Sequence, residues 1–420
     1  MIKEINCERN NLFEPNDYIH FLVTLRGEIE PATLQAAILS AYEANESTCS
    51  RIVLTEDGCA YYEKCEETGC KVLITQESWE KLIIKNEKQP FAIQNGEMIR
   101  SFIIGGIEKT QLLIMAHHLV GDGKSIVYFI EDVMKALSGE KLEFRPIYSV
   151  SQSEFYHKAK MSPKVRLFLK YMNRAWSKEK KVFGWKDYEK IHHTYWNKHS
   201  SHILYHIFSR EETAQVIEMA KKIGISVNSY LITAFQKTDV KNQIIGIPLS
   251  VREDNNKSMC NQTSGISITY QYSEKMTFVE NAKNVHTMIQ KALKSPRRYF
   301  VLRFIPSIEP TLLDGAVLST QGYCHASTAK KIAEVMGYAG NGTRDLGITN
   351  LTRLDIPDKY GAYQIEDILF VPPAISYNPK SIGVATINGK MALGYRVMDE
   401  TLVEKEKKFF EKACHYTRSL

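Results

Sequence analysis

Apolar and polar positions along this 420-residue chain alternate between two periods, and the switches between them predict the elements. From Tyr18 to Gly27, Phe21, Val23 and Leu25 alternate with polar neighbours, which predicts a strand. Pro31 then opens a helix whose apolar face is Leu34, Ala37, Ile38, Ala41 and Tyr42. Arg51 to Leu54 and Cys59 to Tyr62 read as a hairpin around Glu56-Asp57-Gly58. Asn95-Gly96 leads into a strand from Met98 to Ile104. Gln111 to Met115 is an apolar run short enough for a buried strand, and Ile126, Val127, Ile130, Val133, Met134 and Leu137 then recur at helical spacing.

The pattern changes between about 150 and 200. Lys158, Lys160, Lys164, Arg166, Lys170, Arg174, Lys178, Lys180 and Lys181 interleave with Phe168, Leu169, Tyr171, Met172 and Trp176. This predicts a basic amphipathic helix, read first as a linker with a solvated face and second as a docking surface for an acidic carrier protein or a membrane. A second round of elements follows. Ile203 to Phe208 is a strand, and Ser209 with Glu212 forms a capping box for a helix that stops at Gly224. A helix through Tyr230, Leu231, Ala234 and Phe235 precedes a strand from Ile244 to Leu249, which ends near Arg252. Ser264 to Tyr272 is a further strand, and Thr277 to Leu293 a helix. Arg297, Arg298 and Arg303 then cluster with Tyr299, Phe300 and Phe304, either to hold a donor phosphate or to coat a helix. Leu346 to Leu351 is a strand, Asn388-Gly389 joins two more, and a helix from about Asp399 to Tyr416 closes the chain. The domain expectation is an N-terminal half over 1–160, a linker over 161–200 and a C-terminal half over 201–420.

Composition narrows the class. Hydrophobic residues make up 44% and charged residues 24%, as in a water-soluble globular protein with a sizeable core. The net charge of +6 is spread along the chain; it does not call for nucleic acid and suits an anionic partner. No apolar run approaches the roughly 20 residues that span a bilayer, and the first residues lack a signal-peptide pattern, so the expectation is a cytoplasmic protein with no transmembrane segment. The eight cysteines fit reduced thiols; Cys59, Cys65 and Cys70 lie close in sequence but form no zinc-type pair, so no metal is expected.

The chemistry concentrates where the Gln111–Met115 strand meets its helix, at His117-His118-Leu119-Val120-Gly121-Asp122-Gly123. A neutral imidazole accepts a proton near pH 7 from a hydroxyl or amine, provided one ring orientation is enforced. A strand end with a close turn enforces it better than a loose loop. Gly121 and Gly123 allow the sharp bend, and Asp122 either orients His118 or ties the turn to a cation elsewhere. Adjacent histidines beside an Asp-Gly turn also occur by chance, and His117, His118 and Asp122 would suit a metal-dependent hydrolase.

With Ser125 the segment reads HHxxxDGxS, and it resembles the signature of the chloramphenicol-acetyltransferase-like acyltransferases. That superfamily includes condensation domains of peptide synthetases, alcohol acetyltransferases, polyketide-associated acyltransferases and wax-ester synthases. The resemblance implies an α/β (α+β) fold of two similar halves, each a mixed sheet flanked by helices, with an active-site tunnel between them. It implies that His118 is the general base, that His117 is structural, and that Asp122, beside Gly123, pairs with an arginine from the second half. Arg252, after Ile247-Pro248-Leu249, matches that arginine by position, and a bidentate pair would lock the turn. Asn261-Gln262-Thr263 resembles the segment that opens a strand near the channel. Leu346-Gly347-Ile348-Thr349-Asn350-Leu351 resembles a polar channel segment, although Thr352 stands where glycine is common. Thr349 and Asn350, with Ser125, are the candidates for meeting an oxyanion or substrate; an Asx turn is the structural alternative for the first two.

The implied reaction moves an acyl group from a thioester, on coenzyme A or on the phosphopantetheine of a carrier protein, to a hydroxyl or amine. No bound cofactor is implied. Two alternatives remain: a stand-alone condensation enzyme joining carrier-bound substrates through an amide, and a catalytically silent binding protein of the same fold. The DFGWG-type segment of plant acyltransferases is absent, with Gly361 to Asp367 in the comparable region, which disfavours a plant-type enzyme.

Overall fold

The computed structural model describes residues 2–105, 109–340, 343–375 and 378–419. The N-terminal part runs β1 (Ile2–Glu4), β2 (Tyr18–Arg26), α1 (Pro31–Glu43), β3 (Ser50–Leu54), β4 (Ala60–Lys64) and β5 (Lys71–Thr75). It continues through α2 (Trp79–Glu87), β6 (Ile99–Gly105), β7 (Lys109–His117) and α3 (Gly123–Leu137). Three helices follow: α4 (Glu154–Lys158), α5 (Pro163–Glu179) and α6 (Trp185–Trp196). Next come β8 (His202–Ile207), α7 (Arg210–Lys222), α8 (Val227–Thr238), β9 (Ile244–Ser250), β10 (Thr263–Thr269) and α9 (Phe278–Lys294). Then α10 (Phe300–Phe304), α11 (Pro310–Thr320) and α12 (Ser327–Val335) lead to β11 (Leu346–Arg353), β12 (Lys359–Tyr360) and β13 (Tyr363–Val371). The chain closes with β14 (Ser381–Ile387), β15 (Lys390–Val397) and α13 (Val403–Ser419).

Two six-stranded mixed sheets carry the fold, in the orders β12-β13-β2-β7-β6-β5 and β10-β9-β11-β14-β15-β8. A small sheet, β1-β4-β3, holds the hairpin. β7 lies between β2 and β6, and its residues from Leu112 to His117 are buried on both faces of the sheet, which explains why the run reads as continuous rather than alternating. Helices pack on each sheet, giving two lobes of mixed sheet and flanking helix, as the sequence predicts.

The predicted division at residue 201 does not follow the sheets. β12 and β13 leave the second lobe and extend the first sheet, β13 pairing antiparallel with β2 from Gln364↔Arg26 to Val371↔His20. Helices α11 and α12 bury Leu312, Leu313, Ala316 and Ile332 in the N-terminal core. The linker reading also fails in part. Residues 163–196 form two helices whose apolar faces, Leu169, Met172 and Trp176 on α5 and Tyr188, Ile191 and Trp196 on α6, are buried in that same core. Trp176 Nε1 donates to Thr311 Oγ1 at 2.8 Å, fixing α5 to α11. Apolar burial of this extent makes α5 a structural layer of the first lobe; its Lys164, Lys170 and Arg174 face outward.

The lobes touch where β13 crosses β14 and β15. Gly383 and Gly394 pair opposite each other, and a Cβ on either would lie 2.3 Å or 2.5 Å from the Phe370 carbonyl oxygen. Only glycine allows that approach of backbone to backbone.

Candidate active site between the lobes

The motif turn is built by its own backbone. β7 ends at His117, whose Nδ1 accepts from the Leu119 N–H at 3.2 Å and so caps the short turn His118–Val120. His117 is fully buried against Tyr18, Phe91 and Tyr188, and burial, with His118 and Arg100 nearby, pulls its pKa down to about 3. It is a neutral strut. Gly121 follows with φ +154°, where a Cβ would meet Ser125 Oγ at 2.5 Å.

Asp122 caps α3. Its Oδ1 accepts from the Ser125 N–H at 2.9 Å, Ser125 Oγ at 3.0 Å and Arg252 Nη2 at 2.9 Å, while Oδ2 accepts from the Gln262 N–H at 3.0 Å and Thr263 Oγ1 at 3.2 Å. Burial pushes this carboxyl up, but Arg252 and the backbone donors outweigh it and hold it below the usual range. The structure thus joins Asp122 and Arg252 across the lobes. The contact uses one guanidinium nitrogen rather than two, because Arg252 Nη1 turns to the carbonyls of Ser258 at 2.7 Å and Asn256 at 3.2 Å. Saturated in this way, Asp122 has no lone pair to orient His118.

Ser125 does not reach the site, contrary to the sequence expectation. Its side chain is buried, and Oγ accepts from the Cys260 N–H at 3.2 Å and from Arg252 Nη2 at 2.8 Å. It is a joint between lobes, not an oxyanion donor. Gly123 begins α3, with space for a Cβ limited by Leu351 at 3.2 Å.

His118 is half-buried and lines a cavity of about 480 Å³ whose walls come from both lobes. Its N–H donates to the Asp17 carbonyl at 3.1 Å, and its carbonyl accepts from Asn261 Nδ2 at 2.6 Å. The backbone of His118 is therefore held from β2's approach on one side and β10's on the other. Nδ1 is buried without a partner, so Nε2 is the nitrogen available to a ligand. Cavities of this size hold small molecules.

The far wall exists because β9 and β11 part. They pair only at Ile245↔Leu346 and Gly246↔Gly347, and beyond that point Ile247 to Ser250 and Thr349 to Leu351 line the cavity. Pro248, with no N–H to give, stands at the opening. Thr349 and Asn350 thus share the cavity with His118. Asn350 Oδ1 is held by the Thr352 N–H at 2.7 Å, with Thr352 at φ 62°, so the Asx turn is present, and the amide nitrogen, with one long bond to Asn228 Oδ1 at 3.5 Å, has a second N–H to serve a ligand. Arg297, Arg298 and Arg303 do not line the cavity: Arg298 Nη1 donates to the Leu293 carbonyl at 2.6 Å and Arg303 Nε to the Tyr156 carbonyl at 3.0 Å. Their neighbours Phe300 and Phe304 line it instead. Among the described residues, no group of three or more His, Cys, Asp or Glu could hold a metal ion.

Two cavity residues escape sequence reasoning, Asp17 and Glu8. Asp17 precedes β2 and Glu8 sits in a short turn, and neither position carries a pattern of its own.

No family model and no curated protein sequence matches the chain. Solved structures do. A trichothecene 15-O-acetyltransferase from Fusarium sporotrichioides superposes with a TM-score of 0.66 at 12% identity, over 99% of this chain and 94% of that one. The first condensation domain of the CDA synthetase superposes with a TM-score of 0.64 at 11% identity, over 100% and 97%. Polyketide synthase associated protein 5 from Mycobacterium tuberculosis gives 0.59 at 12% identity, over 100% and 98%. The chain has the fold these structures share, the two-lobed fold of the chloramphenicol-acetyltransferase-like acyltransferases and condensation domains.

Proposed function

We propose that the protein is an acyltransferase that carries an acyl group from a thioester to a hydroxyl or amine, with His118 as general base. The observation that carries this reading is His118 itself: a half-buried imidazole, held at both backbone polar groups, opening on a cavity between lobes of this fold. The donor, an acyl group on coenzyme A or a carrier protein, enters from one face of the junction and the acceptor from the other, so the cavity acts as a tunnel. His118 Nε2 takes the acceptor's proton as the acceptor attacks the thioester carbonyl. Thr349 Oγ1 and the Asn350 amide are the donors for the oxyanion. The C–S bond breaks, and the thiolate takes the proton back from His118. Asp122 and Arg252 touch no reacting atom; they hold the turn that aims the imidazole. A carrier-bound donor would meet α5, where Leu167 and Tyr171, 70% and 68% exposed, stand among Lys164, Lys170 and Arg174.

The test is thiol release from a panel of acyl-CoAs and carrier-bound thioesters, each with and without alcohols and amines. Acceptor-dependent release that yields the acylated product supports the reading. Release at the buffer rate with every pair would leave a binding protein of the same fold.

A further inference from the structure

Three carboxyls line the cavity, Glu8, Asp17 and the Arg252-paired Asp122, together with the cations Lys124 and Arg344. Asp17 is 2% exposed, lines the cavity, and its Oδ1 has no hydrogen-bond partner. Its backbone carbonyl receives the His118 N–H at 3.1 Å, and both residues line the cavity. Glu8 lines the same cavity. Its carboxyl accepts from the backbone N–H groups of Asn6 and Glu8 and, at 3.4 Å, from the Tyr62 hydroxyl, whose better bond is to the Leu119 carbonyl at 2.7 Å. The charges acting on Asp17 are His118 and Arg396, and among the described residues no cation acts on Glu8. Arg396 is already engaged by Asn16, His20 and Glu87. Lys124, also in the lining, leans toward Asp355 at 3.6 Å. A buried carboxyl with an oxygen left unpartnered, as in Asp17, or with no cation beside it, as in Glu8, costs free energy, and a cationic ligand group lowers that cost.

We propose that Asp17 and Glu8 form an ammonium subsite beside His118, so that the acceptor this cavity takes is a primary amine that arrives protonated. The proposal rests on the acyl-transfer reading for its chemistry, but not for binding. Burial lifts Asp17 to about 6 and Glu8 to about 7, so each can hold or release a proton near neutrality. The ammonium gives one proton to the Asp17 carboxylate and becomes a neutral amine. The amine nitrogen forms a bond to the thioester carbonyl carbon while His118 takes the second N–H proton. The C–S bond breaks with its electron pair going to sulfur, and the thiolate takes the proton from His118. Amide and thiol leave, and Asp17 returns its proton to water.

Hexylamine and hexanol separate this from other readings, because they match in length and differ in charge. Calorimetric titration of the full chain at pH 7 should show hexylamine binding at least tenfold tighter than hexanol. Asp17→Asn should remove that preference, and Glu8→Gln should reduce it several-fold, while hexanol binding stays unchanged in both. Thiol release from acyl-CoA should follow the same order, hexylamine ahead of hexanol. Equal binding of the two ligands by the wild type overturns the proposal, and so does a preference that survives both isosteric changes. If Asp17→Asn slows turnover of both acceptors alike without altering binding, Asp17 only positions His118 and the subsite is rejected. An ammonium preference without any turnover would keep the subsite and reject acyl transfer. Should Asp17→Asn fail to unfold cooperatively, Glu8→Gln alone decides.

Discussion

At the scale of single residues, neighbouring groups of one motif have opposite duties because their surroundings differ. His117 is sealed among aromatic rings and kept neutral, whereas His118, one residue on, opens on the cavity. The pH consequence has a definite sign. With the folded pKa of His117 near 3 and an unfolded value near 6.5, the unfolded chain binds the extra proton as pH falls between them. Stability is thus full above about pH 6.5 and is lost on acidification, by about 2 kcal/mol between pH 7 and pH 5 for this group alone. Urea unfolding of His117→Asn should show a correspondingly weaker fall over that range than the wild type. Asp122 and Arg252 carry a second prediction. Arg252→Met leaves a buried carboxylate without its cation and should cost about 3–5 kcal/mol in the same assay. The deficit should shrink toward pH 3, because protonation of Asp122 in the variant removes the unpaired charge while the wild type loses the benefit of its pair.

At the scale of elements, what could be read in the sequence was what depends on nearby residues. The Ser209–Glu212 capping box is present, with the Ser209 N–H donating to Glu212 Oε2 at 2.9 Å, and Asn388-Gly389 turns with φ of 51° and 73°. The strand delivering the motif and the helix after it were legible from period alone. α2 and β5 were missed: β5 is an edge strand with Leu73 and Ile74 exposed, so its pattern is weak. The basic stretch over 163–196 showed its charge, but charge does not reveal that Trp176 is buried under α11. Ser125 was misplaced for a similar reason. Its position after the motif suggests the site, while its hydroxyl is consumed by Cys260 and Arg252, partners more than 120 residues away. Gly383 and Gly394 look like ordinary strand glycines until Phe370 is laid over them. Gly383→Ala should therefore destabilise by about 1–3 kcal/mol or more, since backbone has to move to admit the methyl group. Thermal unfolding checks this, with Gly265→Ala as the comparison, where the nearest atom to the added carbon lies 3.7 Å away.

At the scale of the whole molecule, neither lobe is a contiguous piece of chain. β13 lies between β12 and β2, so the first sheet has residues 359–371 as structural strands, and α11 and α12 complete its core. A fragment of residues 1–200 would bare the edge of β2 and the apolar face of α5, and it should fail to unfold cooperatively in circular dichroism, whereas the full chain should show a cooperative transition. The same crossing makes the cavity a product of both lobes: His118 and Asp17 come from the first, Asn261, Thr349 and Asn350 from the second. The most direct measurement is kcat/KM for acyl transfer, on whichever donor and acceptor the panel identifies, in wild type and His118→Ala. A loss of about 10²–10⁴-fold with the donor still bound is the predicted result. Transfer by His118→Ala at the wild-type rate would contradict the account at its centre.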